Sequence, residues 1–227
     1  MARRTPDREY IPPVQTLQIR YAKRGRMRFA SHRDFQRAWE RALRRVAVPM
    51  AYSAGFSPHP KVSYAGAAPT GAASEAEFLE IGVIQAVDPE QLRASLDDAL
   101  PEGLDIVSVV EASVPLTETL RFSKWRLEWP SDVSDAVSAF ESCASVGVER
   151  VTKAGRRTID VRALCSDLRM TSPTTLELTV QHAEPTPRPA EVVAAIRQVA
   201  ADVPPDTVLA TRLAQGLSED GEVRPPF

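Results

Sequence analysis

One hydrophobic pattern, strand–helix–strand–strand–helix–strand, runs twice along this chain, and that order admits few folds. In the first round TLQIRYA alternates, with Leu17, Ile19 and Tyr21 on one face and Gln18 and Arg20 on the other. SHRDFQRAWERALRRV then changes to helical spacing. Phe35, Trp39, Leu43 and Val46 form its apolar stripe, Ser31 is placed to cap it with Asp34 three residues on, and Pro49 stops it. KVSYAGAAP and AEFLEIGVIQ read as a hairpin. DPEQLRASLDDAL reads as a helix capped by Asp88 with Pro89 at its first position, and LDIVSVVEA as the closing strand.

The second round opens at RFSKWRLEW, where Trp125, Leu127 and Trp129 share a face. SDVSDAVSAFESCA is a helix with Val133, Val137, Phe140 and Ala144 inward, and VERVTKAGRRTIDVRAL reads as a hairpin turning at Ala154–Gly155. TTLELTVQHA, RPAEVVAAIRQVA and TVLATRLAQ follow as strand, helix and strand. The pattern predicts an α+β chain of tandem ferredoxin-like (split βαβ) units, the second made irregular by an extra strand. The expected divisions are a flexible tail at 1–15, a first domain at 16–113, a second at 119–217 and a flexible tail at 218–227, with VPLTE as the joint.

A hydrophobic share of 43% in 227 residues supports a sizeable core. No apolar run reaches the roughly 18–20 residues of a membrane span, and the start MARRTPDREYIPPVQ has no apolar segment of the secretory kind. Cys143 and Cys165 are the only cysteines, too few for a disulfide framework, a zinc site or a cluster. These features predict a cytoplasmic protein with reduced thiols, no membrane contact and no resident cofactor or metal.

The net charge of −2 conceals a strong segregation. Through Lys61 there are fourteen Lys and Arg against four acids, a net of +10, which leaves −12 for the rest. Sign segregation of this size points to an anionic partner for the basic part. Lys23, Arg24, Arg26 and Arg28 surround a glycine turn, and Arg33, Arg37, Arg41 and Arg44 recur at helical spacing apart from the apolar stripe. A basic stripe beside a basic loop can follow a phosphodiester backbone, each contact releasing counterions. The N-terminus of the helix adds free N–H groups near Ser31 and His32.

A second candidate is SAGFSPHPKVSYAG. Pro58 and Pro60 fix their own φ and bias Ser57 and His59 toward extended backbone, so His59 is presented on stiff chain. Gly55 and Gly66 permit unusual dihedrals or close approach. Phe56 and Tyr64 either anchor the loop in the core or stack on a base. Gly55, Phe56, Ser57, Pro58, His59 and Pro60 are thus a candidate recognition loop that, with His32, would read local shape or contact a partner, and His32 and Lys61 join the arginines as candidate nucleic-acid contacts. His32 and His59 are also the only candidates for acid–base work in RNA cleavage, while His182 reads as structural. Glu75, Glu77 and Glu80 are given no ligand role. Nucleotide-binding glycine motifs, zinc motifs, a Gly-x-Ser-x-Gly elbow and the RNP1 pattern are all missing from the sequence.

RMRFASHRDFQRAWERALRR, PMAYSAGFSPHPKVSYAGAAPTGAASEAEFLEIGV and their order resemble the bacterial radical-SAM-linked proteins, a domain of unknown function also found fused to B12-binding-type radical SAM proteins. The likeness covers about residues 16–110, with Ser31–Asp34, Gly55–Lys61 and Glu75–Leu79 matching its blocks. The cysteine triplet of a radical SAM cluster is not in this chain, so the resemblance implies a radical SAM enzyme supplied in trans. Together with the basic segment, it leads to the expectation of a non-catalytic accessory protein that presents structured RNA to that enzyme. Two alternatives stand beside it. The layout is similar to metal-independent endoribonucleases that process CRISPR repeats, a fold-level analogy, and the basic stripe can equally dock an acidic face of the enzyme without RNA.

Overall fold

In the computed structural model, residues 10–54, 58–152, 155–200, 203 and 207–227 are described. The chain divides into two compact units, one of Met1–Thr70, Glu77–Leu116 and Phe227, the other of Gly71–Ala76 and Thr117–Pro226. It is a mixed chain of strands and helices whose strand pairing is mostly antiparallel.

The first unit is built from β1 (Gln15–Lys23), a 3₁₀ turn (Gly25–Phe29), α1 (His32–Arg45), β2 (Val62–Ala65), the greater part of β3 (Ala73–Val83), α2 (Pro89–Ala99) and β4 (Leu104–Glu111). β1 lies between β4 and β3, and β2 pairs with the far side of β3 from Val62↔Ile81 to Ala65↔Phe78. Leu17, Ile19 and Tyr21 of β1 meet Phe35, Trp39 and Leu43 of α1, Leu92 and Leu96 of α2, and Leu79, Ile81 and Val83 of β3 in one core. Each such side chain contributes about 1.5–3 kcal/mol on full burial. α1 starts where its capping chemistry predicts. Ser31 Oγ accepts from the Asp34 N–H at 3.2 Å and donates to Asp34 Oδ2 at 2.7 Å. Asp88 Oδ1 caps α2 in the same way, accepting from Gln91 N at 2.7 Å.

Gln18 departs from the alternation. Expected on an outer face with Arg20, it is buried, and its Nε2 donates to Glu80 Oε1 at 2.8 Å and to the Val114 carbonyl at 2.7 Å. The distant chain that covers it leaves no mark on the local pattern.

After a short α3 (Leu116–Thr119), the second unit contains β5 (Phe122–Glu128), α4 (Ser134–Ser142), β6 (Gly147–Thr152), β7 (Gly155–Asp160), β8 (Cys165–Ser172), β9 (Thr175–Gln181), α5 (Pro189–Val199), β10 (Leu209–Glu219) and β11 (Glu222–Arg224). Its strands run β10-β5-β9-β8, with Ala73 and Ser74 of β3 pairing parallel to Thr211 and Arg212 of β10. β6 and β7 form their own two-stranded sheet, fastened to α5 by the Arg150 guanidinium, which donates to both Glu191 carboxylate oxygens and to the Thr186 carbonyl. Of the predicted turn at Ala154–Gly155, residue 154 lies outside the described residues; Gly155 opens β7.

Two expectations are corrected here. β8 has no counterpart in the sequence reading, because register shifts between Ser166 and Arg169 and between Met170 and Ser172 break its alternation. Residues 218–227, expected as a flexible tail, instead turn at Asp220–Gly221 and return as β11 against β10. The reason is a hairpin turn: Asp220 and Gly221 both take positive φ, the conformation of a tight two-residue connection. Among the described residues no helix is long and apolar enough to cross a membrane.

Candidate nucleic-acid interface

The α1 helix buries Phe35, Ala38, Trp39, Ala42 and Leu43 and leaves Arg33, Arg37, Arg41, Arg44 and Arg45 exposed. At 100° per residue, Arg33, Arg37, Arg41 and Arg44 fall within an arc of about 80° and span about 16 Å of helix axis. Asp34 and Glu40 are the only acids on the helix. Arg37 lies 3.9 Å from Asp34, and Arg44 lies 3.6 Å from Glu40. Such exposed pairs are worth little and exchange readily for another anion. Among the described residues, Arg33, Arg41 and Arg45 make no ion pair.

The 3₁₀ turn before α1 adds further cations. Arg24 is bound to Asp105 at 2.6 Å, and its N–H donates to the Gly103 carbonyl at 2.8 Å, which fixes the turn against the start of β4. Gly103 has φ of +87°, and a Cβ there would lie 2.7 Å from the Arg24 carbonyl oxygen, so only glycine fits. Arg26 is exposed. Arg28 places its guanidinium carbon 4.6 Å from the centroid of the Phe29 ring, and Phe29 itself is 60% exposed.

Lys23 does not belong with these cations. It is buried, its Nζ donating to the carbonyls of Ala68 at 3.2 Å and Pro69 at 3.5 Å. The buried Glu77 accepts from Ala68 N at 3.0 Å, so the two charged residues hold both polar groups of Ala68 and fasten the loop after β2. In sequence Lys23 is one more cation beside Arg24; its position on the covered end of β1 removes it from any phosphate. Beside this staple lies a cleft of about 360 Å³ whose walls include Ala30, His32, Phe35, Ala67, Pro69 and Thr70. The exposed His32 ring stands edge-on to Tyr64 at 5.5 Å, and Tyr64 stands edge-on to Phe35 at 5.6 Å. Burial, with the Glu40 carboxylate adding to it, pushes the Tyr64 hydroxyl up to about 12, so it stays protonated.

The proline loop is closed by a narrow neck. Tyr52 bridges Pro60, Ser53 N–H donates to the His59 carbonyl at 2.9 Å, His59 N–H donates to Ser53 Oγ at 3.1 Å, and Lys61 N–H donates to the Ala51 carbonyl at 2.8 Å. Gly55, Phe56 and Ser57 lie outside the described residues; Pro58, His59 and Pro60 are described, and the His59 side chain is exposed. His59 precedes β2, whereas His32 contacts Tyr64 near the end of that strand. His59 and the Tyr64 that His32 contacts thus lie toward opposite ends of β2, and Lys61, next to Val62, lies on the His59 side. Arg24, Arg26 and Arg28 lie along the 3₁₀ turn and His32 and Arg33 at the start of α1, while Arg37, Arg41 and Arg44 follow further along the helix.

In the second unit a further charged group escaped the sequence. Glu177 is buried among Arg126 at 2.8 Å, Arg169 at 3.2 Å and Lys124 at 3.6 Å. Hydrogen bonding from Arg126 and Arg169 and the charge of Lys124 hold its carboxyl below the usual range against the opposing effect of burial. The strand register gave the only available signal, since Lys124, Arg126, Glu177 and Arg169 occupy one face of β5, β9 and β8. Among the described residues, no three His, Cys, Asp or Glu side chains gather as a metal site.

The model of a bacterial family described as "Uncharacterized protein conserved in bacteria (DUF2344)" matches residues 16–189. The chain belongs to this family. The matched span of this DUF2344 member runs from β1 to the first residue of α5 and so takes in the whole arginine face and the cleft beside His32. No curated protein matches the chain.

Proposed function

We propose that this chain is a non-catalytic RNA-binding accessory protein that holds structured RNA for a radical SAM modification enzyme supplied in trans. The observation that carries the reading is the exposed arginine face of α1, with Arg33, Arg37, Arg41 and Arg44 on one arc. In this reading both units are ferredoxin-like. The orders β4-β1-β3-β2 and β10-β5-β9-β8 support that, and β6–β7 is the irregular insertion. The radical SAM partner rests on the likeness of the blocks at 31–34, 55–61 and 75–79, and the cytoplasm is the compartment where such an RNA and such an enzyme meet.

The test is equilibrium binding of total RNA to the purified chain over a salt series starting at ~50 mM. Four phosphate contacts give a slope of log K against log salt near −3 for single strands, at about −0.7 per contact. No binding at ~50 mM salt, or binding indifferent to salt, sinks the reading. A pull-down of the enzyme that survives nuclease treatment, with no RNA affinity, would replace it by a protein-docking role for the same arginines.

A further inference from the structure

We infer that the junction of the 3₁₀ turn and α1 recognises unpaired bases, one stacking on Phe29 and its neighbour entering the cleft beside His32. This rests on the RNA-binding reading and narrows its ligand from RNA in general to a single-stranded segment such as a loop.

The observations are local to the turn and the first residues of the helix. Phe29 is 60% exposed, the one phenylalanine among the exposed large apolar side chains of the described residues. Its ring lies against the Arg28 guanidinium at 4.6 Å, which pre-orders the side chain and completes a cation–π pair of the kind that base rings extend. One residue further, Ala30 enters the wall of the 360 Å³ cleft, and His32 stands at its rim with its edge already against Tyr64. That volume is at the lower end of pockets that hold small ligands and suits one planar heterocycle. The walls at Ala67, Pro69 and Thr70 are held in place by the Lys23 and Glu77 contacts to Ala68, so the cleft is formed before anything enters.

Charge settles which occupant is argued. Arg26, Arg28 and Arg33 flank the aromatic ring and the cleft within eight residues of chain, and the helix N-terminus faces the same place. A ligand there meets both cationic side chains and flat apolar surfaces. An unpaired strand supplies both, whereas a duplex keeps its base faces stacked and offers phosphates alone.

The experiment compares a short fluorescein-labelled RNA as single strand and as duplex with its complement, using the full chain and the variants Phe29→Ala and His32→Ala, both at exposed positions. A copy of the strand carrying 2-aminopurine reports stacking directly. The expected result is tighter binding of the single strand and quenched 2-aminopurine emission. Phe29→Ala should lose roughly tenfold in single-strand affinity, His32→Ala a smaller factor, and neither should change the duplex affinity or the salt slope. Equal affinity for strand and duplex with Phe29→Ala silent overturns this inference and leaves the electrostatic reading standing. Absence of binding to either RNA overturns both.

Discussion

His182 is fixed between Ser123 and the backbone, its Nε2 2.6 Å from Ser123 Oγ and its Nδ1 2.8 Å from the Leu120 carbonyl oxygen. The carbonyl can only accept, so Nδ1 carries a proton, and in the neutral ring Nε2 accepts from the Ser123 hydroxyl. Ser123 is buried, so this serine, despite its hydrogen bond to a histidine, is out of reach of a substrate. Burial lowers the imidazole pKa below its ordinary value, the Leu120 carbonyl opposes that, and the charges of Arg212 and Arg121 add to it.

Because the folded pKa is the lower one, the unfolded chain binds more protons as the pH drops below about 6.5. The stability contributed by neutral His182 is thus complete above that value and is lost as pH falls through the folded pKa. Urea midpoints should decline from ~pH 8 to ~pH 5, and His182→Gln should remove part of that decline. An acid slope identical in the variant and the wild type would show that His182 is not the group responsible.

The two thiols should differ in reactivity. Burial pushes Cys165 up to about 12, against a smaller opposing effect of Arg162, while Cys143 is half-buried with its Sγ 3.3 Å from the Ala139 carbonyl. The thiolate is the reactive form. One equivalent of a thiol reagent should react with the native chain at neutral pH and two after denaturation, with mass mapping placing the first on Cys143. Rapid native labelling of Cys165 would contradict its placement.

Gly103 supports the basic turn through backbone alone. Gly103→Ala combines a positive φ with a contact of 2.7 Å to the Arg24 carbonyl, and strain of this kind costs of order 1–3 kcal/mol. Thermal unfolding should shift down by several degrees, and RNA affinity should fall with it as Arg24, Arg26 and Phe29 move. A variant with unchanged stability would mean that the turn is not held by this approach.

What could be read in the sequence was what neighbours decide. The start of α1 was legible because Ser31 and Asp34 cap it within one turn, and its buried face because Phe35, Trp39 and Leu43 repeat at helical spacing. The site at its N-terminus was only half legible. Arg26, Arg28 and His32 stand out in the basic run, but the cleft depends on chain more than thirty residues away at Ala67–Thr70. The fate of Lys23 depends on the same distant loop, since in sequence it is one more cation in a basic run. In the second unit, Ser166 to Arg169 shows the opposite failure: a bulge with Asp167 at φ of 51°, followed by a further register shift at Met170–Ser172, disguised a strand that still pairs with β9 along its length.

The last prediction separates cations that face solvent from one that does not. Arg33 and Arg41 are exposed without an ion pair among the described residues, so Arg33→Ala with Arg41→Ala should leave stability within about 0.5 kcal/mol while lowering the salt slope for single-stranded RNA by about 1.4. Lys23→Met should do the reverse. It leaves the buried carbonyl of Ala68 and the half-buried one of Pro69 without this donor, a loss of about 2 kcal/mol, and where the chain stays folded the salt slope should be that of the wild type. Urea melts and the salt series on the same three proteins measure both quantities. If Lys23→Met cuts the slope and the arginine pair does not, the phosphates lie along β1 and the arginine face of α1 is only a solvated surface.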